Sequence, residues 1–442
     1  MISKSTIFAV STGSGRAGIA VVRLSGPEAL SSAIALTGRP LEPRRASLRK
    51  IQTVDATAVI DQGLVLFFPG PHSATGEDVV EFHLHGSPAV LCLILSELAK
   101  LPELKLAGPG AFSRRAFENG RLDLVEVEGL ADLLSAESES QRRLAMRQFS
   151  GEASSIYEAW RSRLVEILAL VEASIDFADE EGVADAAIAA VSPKISALIT
   201  ELENAVAKSQ QAAVIRRGLR ITIAGAPNVG KSSLLNALVG RDAAIVSEIA
   251  GTTRDVVEAA LVMGGLPVSI SDTAGLREMS HDPIEREGMA RSRTEIEAAD
   301  ILIWVSAFDE NVLALPPRQP DLHVINKCDL SIHRRNDIAV EPRHVVSVRQ
   351  GTGLAEVKQA LQNLVAERTA LEPNAVVVRE RHRQAILESI RCLNDAEMQG
   401  ADMLELLAEN VRKAARSLES ITGRIGVEDL LGQIFLEFCI GK

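Results

Sequence analysis

The stretch Gly225-Ala-Pro-Asn-Val-Gly-Lys-Ser232 matches the phosphate-binding loop pattern G-x-x-x-x-G-K-[ST] at every fixed position. A strand-like run, 219–224, leads into it, and a helical run, 233–238, follows it. Glycines let the main chain turn tightly and aim N–H groups at phosphate oxygens, and the helix N-terminus adds the positive end of its dipole. We therefore predict that Lys231 contacts the β- and γ-phosphates of a nucleotide and that Ser232 ligates Mg²⁺. The alternative is a glycine-rich turn that binds nothing.

Two later segments indicate which nucleotide is bound. Asp272-Thr273-Ala274-Gly275 ends a strand-like run, where a carboxylate can hold the Mg²⁺ shell and Gly275 lets the main chain approach the γ-phosphate. Asn326-Lys327-Cys328-Asp329 ends another apolar run. Asp329 can accept hydrogen bonds from N1–H and the amino group of guanine, a donor pair that adenine lacks, so the sequence favours GTP over ATP. Either segment alone is also a common turn composition.

The remaining parts of the predicted nucleotide site are less regular. Thr253, within the segment 251–255, is expected to give Mg²⁺ a second hydroxyl ligand, because switch segments close over the γ-phosphate in this way. Ser347 and Val348 stand in the guanine-side loop. The complete predicted nucleotide set is Asn228, Val229, Gly230, Lys231, Ser232, Ser233, Thr253, Asp272, Thr273, Ala274, Gly275, Asn326, Lys327, Asp329, Ser347 and Val348, with Ser232, Thr253 and Asp272 as Mg²⁺ ligands.

The residue after Asp-Thr-Ala-Gly is unusual for a GTPase. Leu276 stands where many GTPases have a glutamine that orients water, and a leucine side chain cannot do this. We expect Glu285 to position the water and Arg254 to neutralise charge in the transition state. An exposed glutamate at a helix start and a simple salt bridge are the alternatives for these two residues.

Composition sets limits on the rest of the chain. The chain has 442 residues, 46% of them hydrophobic and 3% aromatic, and a net charge of −12. This charge argues against nucleic-acid binding by the whole surface but not against a local basic groove. The four cysteines, Cys92, Cys328, Cys392 and Cys439, have no metal-ligand spacing and indicate reduced thiols of a cytoplasmic protein. No apolar run is long enough to span a membrane.

Periodicity divides the chain into three kinds of segment. Strand patterns at 7–10, 18–24, 63–68 and 78–84, with a helix over 88–98, predict a small α+β domain at 1–118. Helical apolar stripes predict a discontinuous helical domain formed by 119–215 and 374–442. Residues 216–373 alternate strands with helices and predict a doubly wound phosphate-loop GTPase domain inserted in the helical domain. The predicted fold class is therefore multidomain, α/β with α+β.

The motifs along the whole chain resemble those of the MnmE (TrmE) family of tRNA-modification GTPases. The resemblance rests on Ser14–Gly26, Phe68–Pro71, Thr75–Asp78, His85-Gly86, Pro109–Phe117, Gly251–Asp255, Asp272–Glu278, Asp429–Gly432 and Phe438-Cys-Ile-Gly-Lys442. The C-terminal signature is the most specific of these. The phosphate-binding loop alone does not distinguish the family from GTPases of ribosome assembly.

The resemblance implies a potassium-activated GTPase. Asn228 matches the side-chain ligand for K⁺, and the segment 247–251 matches the loop that completes its shell, with Ser247, Ile249 and Thr252 as expected ligands. A monovalent cation there offsets charge between the β- and γ-phosphates, as an arginine finger does. The resemblance implies that K⁺, dimerisation of the GTPase domains and Glu285 together replace the catalytic glutamine, whose position is occupied by Leu276.

The resemblance also implies cofactors and partners. The N-terminal domain is expected to form a homodimer and to bind a tetrahydrofolate derivative (5-formyl or 5,10-methylene) through Arg23, Glu81, Arg121 and Lys442. A flavoprotein, MnmG (GidA), carries FAD and forms a heterotetramer with such proteins. Together they add an aminomethyl or carboxymethylaminomethyl group to C5 of the wobble uridine of certain tRNAs. Cys439 matches the cysteine of the C-terminal motif and is a candidate nucleophile, although a small buried hydrophobe explains it equally well.

Two other functions stay open at this point. The chain could be a regulatory GTPase switch in ribosome assembly that binds RNA without modifying it, or a nucleotide-binding module without turnover. The N-terminal domain and the Cys-Ile-Gly-Lys end argue against the switch. The intact phosphate and Mg²⁺ residues argue against the module.

Overall fold

The chain forms two compact units. The computed structural model describes residues 5–13, 15–176, 183–239, 257–272, 293–308, 316–330, 343–368, 376–399 and 403–424, and the single residues 431, 434, 435, 438 and 441. One unit comprises 1–134, 146–202 and 384–442, and the other comprises 135–145 and 203–383.

The first unit contains a mixed six-stranded sheet with the order β3-β4-β5-β2-β1-β6. Its strands are β1 (Thr6–Val10), β2 (Ala17–Ser25), β3 (Ser47–Gln52), β4 (Val59–Phe68), β5 (Val79–Gly86) and β6 (Leu104–Leu106). Only the β1–β6 pair is parallel; the other strand pairs are antiparallel. The four strands predicted from the sequence are confirmed as β1, β2, β4 and β5. The two edge strands, β3 and β6, were not predicted.

The helices below are those of the described residues. They are α1 (Ala29–Thr37), α2 (Pro88–Leu98), α3 (Ala111–Glu118), α4 (Leu124–Ser135), α5 (Glu139–Phe149), α6 (Glu152–Asp176), α7 (Val183–Arg217), α8 (Lys231–Val239), α9 (Leu354–Arg368), α10 (Glu380–Gln399) and α11 (Leu404–Thr422). The helix predicted over 88–98 is confirmed, and the described residues of 119–215 lie mainly in α4, α5, α6 and α7.

One face of the first sheet forms a core with α1 and α2. Leu24 and Phe82 are fully buried there with Leu36, Ile94 and Leu98 of the two helices. Burial of each such side chain stabilises the fold by about 1.5–3 kcal/mol. Because side chains alternate along a strand, Arg23 and Glu81, next to Leu24 and Phe82, lie on the opposite face.

The helical part of the first unit is held by apolar faces and by ion pairs. Leu164 and Val171 of α6 and Leu407 and Val411 of α11 are buried, as their helical stripes predict. The two helices pack along each other. The Arg161–Glu419 (2.6 Å) and Arg412–Glu172 (2.8 Å) ion pairs join their polar edges.

The second unit contains a six-stranded sheet that is parallel except at one edge. Its order is β12-β11-β10-β7-β9-β8, and β8 is antiparallel to β9. The strands are β7 (Leu219–Gly225), β8 (Val257–Met263), β9 (Leu266–Asp272), β10 (Ile301–Ala307), β11 (Leu322–Asn326) and β12 (Arg343–Val345). Strands β10 and β11 are buried at every residue, which is typical of parallel strands covered on both faces.

This architecture confirms the predicted fold class, a multidomain chain that combines α+β and α/β parts. The division into three domains with limits near 118, 216 and 373 stays a prediction. Among the helices of the described residues, none is long and apolar enough to cross a membrane.

Candidate nucleotide-binding site

The phosphate-binding loop joins β7 to α8 at the centre of the second sheet. Gly225, the last residue of β7, has φ 154°, and a Cβ there would collide with the carbonyl oxygen of Val305 on the neighbouring β10. Gly230 has φ 97°, and its added Cβ would collide with the amide nitrogen of Asn326. Asn228 is exposed and has φ 63°, in the left-handed region. The glycines of the motif are therefore required by close packing as well as by the turn.

Lys231 begins α8 and folds back over the loop. Its Nζ donates to the carbonyl oxygens of Ala226 (2.9 Å) and Gly225 (3.3 Å), and the residue is only 7% exposed. These main-chain oxygens hold the ammonium group at the mouth of the loop. A phosphate oxygen bound in the loop would meet this charge together with the main-chain N–H groups at the start of α8.

Two predicted Mg²⁺ ligands lie in contact. The Ser232 hydroxyl donates to Oδ2 of Asp272, the last residue of β9. The second carboxylate oxygen, Asp272 Oδ1, is buried and has no hydrogen-bond partner among the described residues. A buried carboxylate oxygen without a partner is costly unless a cation or donor joins it. The pair therefore fits a hard divalent cation with oxygen ligands.

Asn326 connects the phosphate-binding loop to the guanine-side loop. It ends β11 and is 4% exposed. Its Nδ2 donates to the carbonyl oxygen of Val229 (2.9 Å), and its Oδ1 accepts from the main-chain N–H of Val348 (3.2 Å). Both ends of the amide are thus used inside the protein, so Asn326 fixes the spacing of the two loops.

Asp329 is held as a carboxylate by the guanine-side loop. The Ser347 hydroxyl donates to Asp329 Oδ1 at 2.7 Å, and this hydrogen bond, aided by the charge of Arg349, lowers the pKa of the Asp329 carboxyl below its usual value. Ser347 is itself fully buried, and its main-chain N–H donates to the carbonyl oxygen of Thr352. An ionised Asp329 has an oxygen left to accept hydrogen bonds from a base.

The structure brings the described members of the predicted nucleotide set to the same end of the parallel sheet. They follow β7, β9, β11 and β12, where ligands of such sheets bind. Val229 is buried, Ser233 is exposed, and Lys327 has φ 64°. Predicted residues that lie outside the described residues are Ser247, Ile249, Thr252, Thr253, Arg254, Thr273, Ala274, Gly275, Glu285, Cys439 and Lys442.

The candidate folate residues form a separate cluster on the first sheet. Arg23 of β2 pairs with Glu81 of β5 through Nε (2.9 Å) and Nη2 (2.8 Å), both on Oε1. His83 Nε2 lies 3.2 Å from the other carboxylate oxygen, and the guanidinium of Arg23 lies 5.8 Å from the centre of the Phe112 ring. Arg121 is exposed and makes no ion pair with the described residues. The Arg23–Glu81 contact is thus an ion pair whose two charges satisfy each other.

Sequence reasoning missed a buried network beside this cluster. Arg115 Nη1 donates to Glu77 Oε2 (2.7 Å) and to the carbonyl oxygen of Ser25 (2.9 Å). The Ser25 hydroxyl also donates to Glu77 and lies 2.7 Å from the hydroxyl of Thr75. Glu77 and Arg115 lie in Thr75–Asp78 and Pro109–Phe117, two of the segments on which the family resemblance rests. That shared membership was the sequence signal that could have pointed to the network.

The C-terminal end of the chain reaches the first sheet at a single described position. The Ser11 hydroxyl, which follows β1, donates to the carbonyl oxygen of Gly441 at 2.8 Å. Gly441 has φ 94°, and a Cβ there would collide with the carbonyl oxygen of Val10. The Cys-Ile-Gly-Lys signature thus contains a glycine that close packing requires.

Two family models match the chain. The model described as the GTP-binding protein TrmE N-terminus matches residues 6–121, and the model described as the MnmE helical domain matches residues 124–439. The second match alone spans more than half of the chain. Among solved structures, the G domain of the T. maritima FeoB iron transporter is 21% identical and covers 33% of this chain and 98% of that chain, with a TM-score of 0.26. A TM-score this low carries no conclusion about this chain.

Curated relatives match from end to end. A tRNA modification GTPase MnmE of Parvibaculum lavamentivorans is 48% identical over 99% of this chain and 100% of its own length. Proteins of the same name from Azorhizobium caulinodans (45%; 100% of this chain, 99% of that protein) and Cereibacter sphaeroides (46%; 99% of this chain, 100% of that protein) are similar to a comparable degree. The chain therefore belongs to the MnmE family of tRNA modification GTPases.

Proposed function

We propose that the chain binds GTP with Mg²⁺, hydrolyses it, and uses this turnover in the modification of tRNA. The observation that carries the nucleotide part is the contact of Ser232 with Asp272, whose Oδ1 has no partner among the described residues, together with Lys231 held over the loop. Family membership supports the tRNA part, because the relatives are named tRNA modification GTPases.

The described residues have distinct tasks in this proposal. The loop N–H groups and Lys231 bind the phosphates, and Ser232 and Asp272 would hold Mg²⁺, which when bound offsets negative charge on the phosphate oxygens. Asp329 selects guanine, and Asn326 keeps the guanine-side loop at a fixed distance from the phosphate-binding loop. Discrimination against ATP follows because adenine leaves the Asp329 carboxylate without its donor pair.

Hydrolysis is proposed to depend on K⁺ and on Glu285. Asn228 is the described residue that would hold K⁺, and its exposed position in the loop is compatible with this. Replacing K⁺ by Na⁺ should reduce the rate of GTP hydrolysis strongly. Equal rates in both salts would show that K⁺ has no specific role in hydrolysis. Glu285→Ala should keep nucleotide affinity and lose turnover, with Arg254→Ala as a parallel test of the arginine.

The carbon chemistry is proposed to involve a tetrahydrofolate derivative on this chain and FAD on a flavoprotein partner of the MnmG type. Arg23, Glu81, Arg121 and Lys442 are the proposed folate residues, in a homodimer formed by the N-terminal domain. Because Arg23 and Glu81 already pair with each other, a pterin or a glutamate tail would have to exchange with that ion pair. The proposed product is an aminomethyl or carboxymethylaminomethyl group at C5 of the wobble uridine, with Cys439 as a candidate nucleophile.

Nucleoside analysis of tRNA from cells that lack the protein tests this function. Loss of the modified wobble uridines, restored by the wild-type chain but not by Lys231→Ala, is the expected result. Unchanged wobble uridines would instead favour a regulatory GTPase that binds RNA without modifying it.

A further inference from the structure

The segment between α1 and the end of β3 is strongly basic in an acidic protein. Residues 38–52 contain five cations and one carboxylate, Glu42, whereas the whole chain has a net charge of −12. The cations are Arg39, Arg44, Arg45, Arg49 and Lys50, and we call them the basic edge because β3 is the edge strand of the first sheet.

Most of this charge is open to solvent. Arg39, Arg44, Arg45 and Lys50 are exposed. The single ion pair that the basic edge makes with described residues joins Arg45 to Glu42, whose side chains are 70% and 69% exposed. Such an exposed pair is weakened by solvent screening and leaves its arginine available to another anion.

The main chain of the segment is nevertheless fixed. The Arg44 N–H donates to the carbonyl oxygen of Phe67 on β4 at 2.7 Å, and Arg44 has φ 58°, in the left-handed region. The Arg44 guanidinium donates to the carbonyl oxygen of His72, and Arg49 Nη2 lies 3.5 Å from the carbonyl oxygen of Pro40, next to Arg39. The cations are thus presented on a defined surface.

Protection of an edge strand does not account for this arrangement. Charged residues on an edge prevent pairing with other strands, and Lys50 and Arg49 can serve that purpose. Arg39 and Arg45 precede the strand, however, and take no part in its pairing with β4. The opposite edge strand of the same sheet, β6, has a single cation, Lys105.

We propose that the basic edge binds the phosphate backbone of tRNA. This inference rests on the proposed function, which makes tRNA the substrate, and adds a surface on the first sheet that is separate from the nucleotide site. Arginine matches phosphate through paired N–H donors, and clustered cations release counterions from a nucleic acid on binding. Because these contacts are to phosphates, they position the tRNA without reading its sequence.

The test uses the full-length chain and an in vitro transcribed tRNA with uridine at the wobble position. In the variant Arg39→Gln/Arg45→Gln/Lys50→Gln, the slope of log affinity against log salt concentration should fall by about 2–3, and affinity should fall for every tRNA tested alike. The charge-preserving variant Arg39→Lys/Arg45→Lys/Lys50→Arg should keep the wild-type slope, because it keeps the number of charges. GTP hydrolysis without tRNA should be unchanged in both.

A matched control removes the same number of exposed cations elsewhere, in Lys105→Gln/Lys358→Gln/Lys413→Gln. Equal loss of tRNA binding in this control would overturn the proposal, because it would show a general effect of net charge. An unchanged slope in the basic-edge variant, with tight wild-type binding, would overturn it as well while leaving the proposed function intact.

Two further results would overturn the proposal in different ways. A wild-type chain that does not bind tRNA at all contradicts the proposed function itself. If the basic-edge variant keeps tRNA binding but loses binding to phosphatidylserine-containing vesicles, the surface recognises lipid phosphate and the proposal is wrong.

Discussion

The nucleotide site and the Arg23–Glu81 cluster both bring charged residues together, but they leave those charges in different states. At the nucleotide site Lys231 is held by main-chain carbonyls, and Asp272 Oδ1 is buried without a partner among the described residues. In the first sheet, Arg23 and Glu81 neutralise each other, and His83 lies against the second carboxylate oxygen. A buried carboxylate oxygen without a protein partner fits a cation ligand, whereas a satisfied pair is compatible with a purely structural role. Substitutions at the two sites test this difference.

The largest effect is expected for Lys231→Ala. Removing a charge that stabilises the transition state at the phosphates should lower the rate of GTP hydrolysis by about 10²–10³-fold. Single-turnover phosphate release measures this, and circular dichroism verifies folding. The control is Lys358→Ala, which replaces an exposed lysine of α9 and should leave the rate of GTP hydrolysis unchanged. A Lys231→Ala enzyme with wild-type turnover would show that this charge is structural too.

Asp329→Asn should change nucleotide preference. An asparagine amide cannot accept both donors of guanine, so GDP affinity should fall by about 10–100-fold, as expected for an unpaired polar group in a binding site. Xanthine carries a carbonyl oxygen where guanine has its amino group, so XDP should lose less affinity or gain it. Titration calorimetry with both nucleotides gives the comparison; an equal loss for both would mean that Asp329 does not face the base.

Glu81→Gln tests the satisfied pair. The variant keeps the shape of the side chain but removes a charge whose partner is only 26% exposed, so the free energy of unfolding should fall by about 1–2 kcal/mol. Denaturant unfolding measures this free energy. The control is Glu42→Gln, which breaks the exposed Arg45–Glu42 pair and should lower the free energy of unfolding less. Equilibrium dialysis with 5-formyltetrahydrofolate sharpens the comparison. If Glu81→Gln loses folate binding while Glu42→Gln keeps it, the Arg23–Glu81 pair has a ligand-binding role.

The smallest effect concerns pH. Because its pKa is lowered in the folded chain, ionised Asp329 contributes stability at neutral pH that is lost as the pH falls through that lowered pKa, below the usual aspartate value of about 3.9. Ser347→Ala removes the main cause of the lowering and should move this acid loss to higher pH. Melting temperature measured against pH detects the change; identical acid profiles would contradict the Ser347–Asp329 assignment.

The sequence predicted the strand and the helix that flank the phosphate-binding loop, because short motifs and local periodicity specify them. The loop from Gly225 to Ser232 follows β7 as its motif predicts, and the position of Asp272 follows from the strand before it. The bridging role of Asn326 could not be predicted, since it depends on Val229 and Val348, which lie far from it in sequence.

The first sheet was harder to predict at its edges. β6 has only three residues, too few for an alternating pattern. The two apolar residues of β3, Leu48 and Ile51, are three apart and therefore lie on opposite faces, so its sequence does not alternate. The Ser25–Glu77–Arg115 network likewise joins residues from three separate segments. Its members were visible in the motifs, but only the folded chain shows that they meet.

The central claim is that main-chain and side-chain groups around Lys231 bind GTP for hydrolysis. The most direct measurement is phosphate release by the purified full-length chain with Mg²⁺, K⁺ and either GTP or ATP. The account predicts binding and turnover of GTP and little turnover of ATP. A properly folded chain that neither binds nor hydrolyses GTP under these conditions would contradict it.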